Sequence, residues 1–184
     1  GTGTRGKRRF RLMTFERHVL TWDEYFMLEA LKEGMAAADR GEIPVGAVIV
    51  RDGKIIARAG NMRERAKSAV AHAETLAIEE ACAVLGGWRL IGCELFVTLE
   101  PCPMCAGAIV NARIPRVVYG AADAKAGAMG GLFNMDEQAL NHHPEIVRGI
   151  LADECSAALK DFFRLRRAGG GFDPSASWRK KSGK

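Results

Sequence analysis

No stretch of the chain approaches the ~20 consecutive apolar residues that a membrane helix needs, and no apolar segment follows its basic N-terminus. The expectation is a protein that neither spans a membrane nor is secreted. Internal repeats and low-complexity segments are absent from its body. Cysteine is scarce and odd in number: five residues, which argues against a disulfide framework and for a reducing, cytoplasmic compartment. Only one Cys-x-x-Cys pair occurs, so a four-cysteine zinc cage cannot be assembled from two such pairs.

A basic surplus is also missing where it would matter most. The chain carries 27 Lys+Arg against 22 Asp+Glu, a net charge of +5. Residues 1–12 hold +5 (Arg5, Lys7, Arg8, Arg9, Arg11) and residues 168–184 hold +3, which leaves −3 for the body. The basicity therefore belongs to the ends and is no argument for a nucleic-acid-binding body. Both ends are rich in Gly, Ser, Thr and basic residues, a composition that cannot bury enough apolar surface to fold. The expected organisation is a disordered basic extension (1–14), one folded domain (15–167) and a disordered basic tail (168–184). Met13 is a candidate initiator, which would make the first twelve residues an extension. At 48% hydrophobic and 27% charged, the 184 residues suit one globular domain.

Thr21-Trp-Asp-Glu24 reads as a capping box, and Tyr25, Leu28, Leu31, Met35 and Ala38 recur at helical spacing up to Gly41. Val45–Val50 and Ile55–Ala59, joined by Asp52-Gly53, predict a hairpin. A helix over 71–85 stops at Gly86-Gly87, and strand 93–99 leads into a short helix over 103–112. Strand 116–119, a Gly-rich connection over 121–143, a short strand near Ile146 and a helix over 151–167 complete the chain. This order predicts an α/β fold in three α/β/α layers. Its mixed sheet of about five strands begins with an antiparallel hairpin and continues in parallel, with helices on both faces.

Two segments carry chemistry: Ala71-His72-Ala73-Glu74 and Leu99-Glu-Pro-Cys102-Pro-Met-Cys105. Each stands where a helix starts. Cys102 and Cys105 share one helical face, and a helix N-terminus favours the thiolate that zinc binds. His72 supplies a third ligand. Three protein ligands leave one position for water, which is the arrangement of catalytic rather than structural zinc. A water held there falls in pKa toward about 7, and Glu74 is placed to accept its proton. Cys82, Cys93 and Cys155 read as small buried hydrophobes. Together the segments match the known zinc-deaminase signature H-x-E…P-C-x-x-C.

The chain resembles the bacterial tRNA-specific adenosine deaminases of the cytidine deaminase-like zinc superfamily, over about Tyr25 to Arg167. The resemblance runs through Glu42–Val48, Ala71–Glu74, Trp88–Leu90, Leu99–Gly107, Gly120–Lys125, Asn141-His142, Gly149–Cys155 and Asp161–Arg167. It implies hydrolysis of adenosine to inosine at the wobble position of a tRNA anticodon stem-loop, one Zn2+ per subunit, and a homodimer. It further implies that Glu74 moves protons to the ring nitrogen and to the departing ammonia. Asn61 matches an asparagine that holds the base, which is the favoured reading over a turn residue after Gly60. Ala73 matches a position whose N–H reads the base. Asp123 and Lys125 match positions near the flipped nucleotide's sugar and phosphates, and both also read as solvated loop residues. Asn141 and His142 fall among the implied substrate contacts.

Phe162, Arg164, Arg166 and Arg167 are implied to stand beside the anticodon loop, where aromatics stack on bases and arginines meet phosphates. Without the resemblance, the aromatics suit the core and the arginines a helix C-terminus. The chain departs from the family at His143-Pro144, where Arg-Val is usual, so the following strand should start late or lie at an edge. Two other readings compete: a zinc deaminase of a free base or nucleoside such as guanine or cytidine, which the acidic body favours, and a non-catalytic zinc-stabilised RNA-binding module.

Overall fold

The computed structural model describes residues 19–169. The expected extension and nearly all of the expected tail lie outside these residues. Helix α1 (Trp22–Asp39) starts with the expected capping box. The Thr21 hydroxyl accepts from the Glu24 N–H at 3.1 Å, and the Glu24 carboxylate accepts from the Thr21 N–H at 3.2 Å. There follow β1 (Gly46–Arg51), β2 (Lys54–Gly60), α2 (Ala73–Leu85), β3 (Cys93–Leu99), α3 (Pro103–Asn111) and β4 (Arg116–Ala121). A 3-10 turn (Met135–Glu137), β5 (Glu145–Arg148) and α4 (Ala152–Arg167) end the described chain.

The sheet runs β2-β1-β3-β4-β5. β1 is antiparallel to both β2 and β3, whereas β3–β4 and β4–β5 are parallel. Asp52 and Gly53 both take positive φ, 51° and 73°, the backbone that a tight hairpin demands. Alternation along the strands divides the core in two. Ile49, Leu95, Val97 and Val117 pack with Ala77, Ile78 and Ile109 of α2 and α3. Val48, Val50, Phe96 and Val118 pack with Phe26 and Met27 of α1 and Cys155 of α4. This is the expected three-layer α/β/α arrangement. β5 is one of the two edge strands and begins directly after Pro144, which has no N–H to donate.

One expectation needs correction. The buried face of α1 is Phe26, Met27, Ala30, Gly34 and Ala37, while Tyr25 and Met35 are exposed at 44% and 50%. The reason is close approach: a Cβ on Gly46 would overlap the Ala30 carbonyl oxygen and the Gly34 nitrogen. Beyond Phe26 and Met27, the helix therefore turns small residues, Ala30, Gly34 and Ala37, toward the sheet.

Candidate metal and active site

Two helix starts meet at one end of the sheet. His72 is the N-cap of α2, held by its N–H donating to the Thr75 hydroxyl at 3.2 Å. Cys102 is the N-cap of α3, with Pro103 following in the first helical position, where a missing N–H costs nothing. Cys105 lies one turn further on, fully buried. Thus His72 Nδ1 comes within 3.7 Å of Cys102 Sγ and 3.5 Å of Cys105 Sγ. All three ligand atoms fall within 4.8 Å of one another.

This donor set fits zinc. Tetrahedral bonds of about 2.3 Å to sulfur and about 2.0–2.1 Å to imidazole nitrogen place S and N roughly 3.5 Å apart. The three side chains shift one another's protonation. The Cys105 thiol donates to Cys102 and, aided by His72, brings the Cys102 thiol down to about 4. The same hydrogen bond, with burial, pushes Cys105 well above the usual thiol range. His72 is raised, chiefly by its bond to Cys102. Glu74, only 4% exposed on the first turn of α2, is pushed up to about 7 by burial. A dication among these groups satisfies both sulfurs at once.

Two loops stand beside the trio. In the first, Asn61 is 7% exposed and its Oδ1 accepts from the Arg63 N–H at 3.1 Å, so it does form the expected turn. The Met62 N–H donates to Ala71 O at 3.0 Å, bringing Asn61 next to the His72 segment. Ala73 is the first residue of α2, so its N–H has no acceptor within the helix. Glu42, 1% exposed, accepts from the Glu64 and Arg65 N–H groups at 3.2 and 2.7 Å and anchors this loop.

The second loop carries Asp123 and Lys125. Asp123 Oδ1 accepts from the Lys125 and Ala126 N–H groups at 3.0 and 3.1 Å, and Lys125 is exposed. Ala128 N–H donates to Pro101 O at 2.9 Å, which sets this loop against the cysteine segment. Asn141 is exposed, whereas His142 Nε2 donates to Ile114 O at 2.6 Å. Phe162, Arg164, Arg166 and Arg167 stand on the last turns of α4. There Arg166 lies over the Phe162 ring and Arg164 pairs with Asp161 at 3.1 Å. No hydrogen bond among the described residues ties this group to the trio. Cys93 and Cys155 are buried, and Cys82 is half-buried, in keeping with their reading as packing residues.

The family model of the cytidine and deoxycytidylate deaminase zinc-binding region matches residues 20–121. A tRNA-specific adenosine deaminase of Bacillus subtilis (strain 168) is 53% identical over 149 residues, covering 80% of this chain and 92% of that protein. The chain belongs to the tRNA-specific adenosine deaminase family. A solved structure from a study of A-to-I editing by tRNA:A34 deaminases superposes with a TM-score of 0.70 at 45% identity. It covers 73% of this deaminase and 99% of that chain. A guanine deaminase of Nitrosomonas europaea reaches a TM-score of 0.66 at 26% identity, over 79% of this chain and 86% of its own. Zinc is the cofactor of the family's matched region, and His72, Cys102 and Cys105 are the described residues grouped to hold it.

Sequence reasoning missed Glu42 and Glu100. Both are acidic, 1% and 2% exposed, and satisfied by backbone N–H groups from distant residues. Both stand inside the matched segments, but no local pattern marks them as buried. The clustered glycines at 127, 130 and 131 were the one available hint that something packs tightly against that loop.

Proposed function

We propose that this chain hydrolyses adenosine to inosine, with release of ammonia, at the wobble position of a tRNA anticodon. One observation carries the substrate assignment: identity to the Bacillus tRNA-specific adenosine deaminase is 53%, against 26% to the Nitrosomonas guanine deaminase, although both share the fold. The geometry supports the reaction. A His-Cys-Cys trio with an open fourth position suits hydrolysis, and a buried carboxylate two residues from the histidine suits proton transfer.

Zinc, when bound by His72, Cys102 and Cys105, supplies Lewis acidity that lowers the pKa of a water toward about 7. Glu74 takes the proton of the attacking water and delivers it to the adenine ring nitrogen. It then takes the second proton from the oxygen now bonded to C6 and hands it to the amino group as the C6–N bond breaks, leaving the C6 carbonyl and releasing neutral ammonia. Asn61, its Oδ1 committed to Arg63, offers its Nδ2 donors to the base. The Ala73 N–H adds a second contact to the base. Asp123 and Lys125 meet the nucleotide's sugar and flanking phosphates, and Asn141 and His142 are further substrate contacts. Phe162, Arg164, Arg166 and Arg167 receive the rest of the anticodon loop by stacking and charge.

The enzyme works as a homodimer whose subunits line each other's sites, and it resides with its tRNA in the cytoplasm. No helix among the described residues is long and apolar enough to cross a membrane. Zinc-loaded protein given a stem-loop with adenosine at the wobble position, and separately free guanine, tests the assignment. Inosine from the stem-loop supports it. Ammonia from guanine with none from RNA overturns it.

A further inference from the structure

Glu100 lies between β3 and the Pro101-Cys102 segment, and its side chain is 2% exposed. Burying a carboxylate is unfavourable unless hydrogen bonds replace its water. Here three backbone groups do so. Oε1 accepts from the Asp123 N–H at 3.1 Å, and Oε2 accepts from the Met129 and Gly131 N–H groups at 3.0 and 2.9 Å. Asp123 is on the outgoing limb of the loop, and Met129 and Gly131 are on the returning limb. Between them Ala124, Lys125 and Ala126 are exposed, so one carboxylate grips both limbs of a basic-tipped loop.

The glycines belong to the same device. A Cβ on Gly131 would stand 2.5 Å from Glu100 Oε1, and one on Gly127 would stand 2.5 Å from the Asp123 carbonyl oxygen. The limbs can close on the carboxylate only because these positions lack side chains. Glu100 is also two residues from Cys102, so the grip sets the loop tip relative to the metal ligands.

We infer that Glu100 is a positioning residue for RNA recognition: by holding both limbs of the 122–131 loop it fixes Asp123 and Lys125 against the nucleotide beside the metal site. The inference rests on the tRNA reading proposed above. Glu100 touches no substrate atom. It acts through the loop, so its loss falls on substrate binding more than on the chemical step.

Glu100→Gln is the sharpest variant, because an amide keeps one oxygen and presents an NH2 group to the remaining donors. Either orientation releases at least one limb. Steady-state kinetics on a wobble-adenosine stem-loop, zinc content, and amide hydrogen exchange are measured for the wild type and the variant. The expected result is one zinc per chain, kcat within about twofold and KM raised roughly tenfold. Exchange should quicken at Asp123, Met129 or Gly131. Gly131→Ala, which crowds the same carboxylate without removing it, should move KM the same way, and it serves if the Gln variant does not fold. Unchanged KM in both variants, or a fall confined to kcat, overturns the inference while leaving the tRNA reading standing. Absence of inosine from the wild type removes both.

Discussion

His72 Nδ1 stands 3.5 Å from Cys105 Sγ although 33 residues separate them in the chain. Neither residue is brought there by its own helix alone. β1 is antiparallel to both β2 and β3, so β2 and β3 run the same way, and α2 and α3, which follow them and pack on one face, start at the same end of the sheet. Each helix contributes a partial positive end that favours thiolate sulfur, and the ligand pair Cys102 and Cys105 spans a single turn.

Zinc should accordingly be stoichiometric and structural in its consequences as well as catalytic. Cys105→Ala removes a fully buried ligand, and zinc content measured by atomic emission should fall to a small fraction of one per chain. Chelation of the wild type should lower Tm by several degrees, because a ligand that binds only the folded state stabilises it by about 3–4 kcal/mol at 100- to 1,000-fold saturation. An unchanged Tm on verified zinc removal would contradict this.

Gly46 should tolerate no side chain. Its absent Cβ is what lets α1 lie against β1, where the Ala30 carbonyl oxygen and Gly34 nitrogen occupy the space. Both obstacles are backbone, so relief requires moving the helix. Gly46→Ala should destabilise by at least the roughly 1–3 kcal/mol of ordinary overpacking, seen as a lower denaturation midpoint.

Arg116 ties three segments together. It donates to both oxygens of Asp23 at 2.8 and 2.7 Å and to Glu94 at 2.7 Å, with Glu145 at 3.5 Å. The start of α1 is thereby fastened to β3, β4 and β5. Because the side chain is 24% exposed, its value is discounted for solvent screening, to about 1–2 kcal/mol. Arg116→Ala should lower stability by that amount and leave three carboxylates together. Added salt should recover part of the loss, and thermal unfolding at two ionic strengths reads this.

The basic ends should tune RNA affinity without taking part in the reaction. Residues 1–12 carry +5, while residues 13–167 sum to −3. Removing residues 1–12 should raise KM for a stem-loop and flatten its salt dependence, by up to about 0.7 in slope for each phosphate of single-stranded RNA that is no longer neutralised. The maximal rate should stay the same. Loss of turnover at saturating RNA would place the function in the extension.

The local part of this architecture was legible in sequence. Thr21 and Glu24 cap α1, Asp52-Gly53 turns the hairpin, and His72, Cys102 and Cys105 announce themselves by type and spacing. Each depends on residues within a few positions, or on a ligand chemistry with few alternatives. The buried face of α1 was not legible, since Ala30 and Gly34 are chosen by Gly46 on another element. Glu42 and Glu100 were equally silent. A glutamate is ordinarily solvated, and only tertiary structure reveals the backbone donors that offset the cost of burying it.

Glu74 is proposed to move the proton in a zinc-dependent deamination of tRNA. This is tested most directly by inosine formation on a wobble-adenosine anticodon stem-loop, comparing wild type with Glu74→Ala at measured zinc content. Both proteins should carry full zinc, and the variant's rate should be lower by about 100- to 10,000-fold. Inosine formed at a wild-type rate by zinc-loaded Glu74→Ala would contradict it.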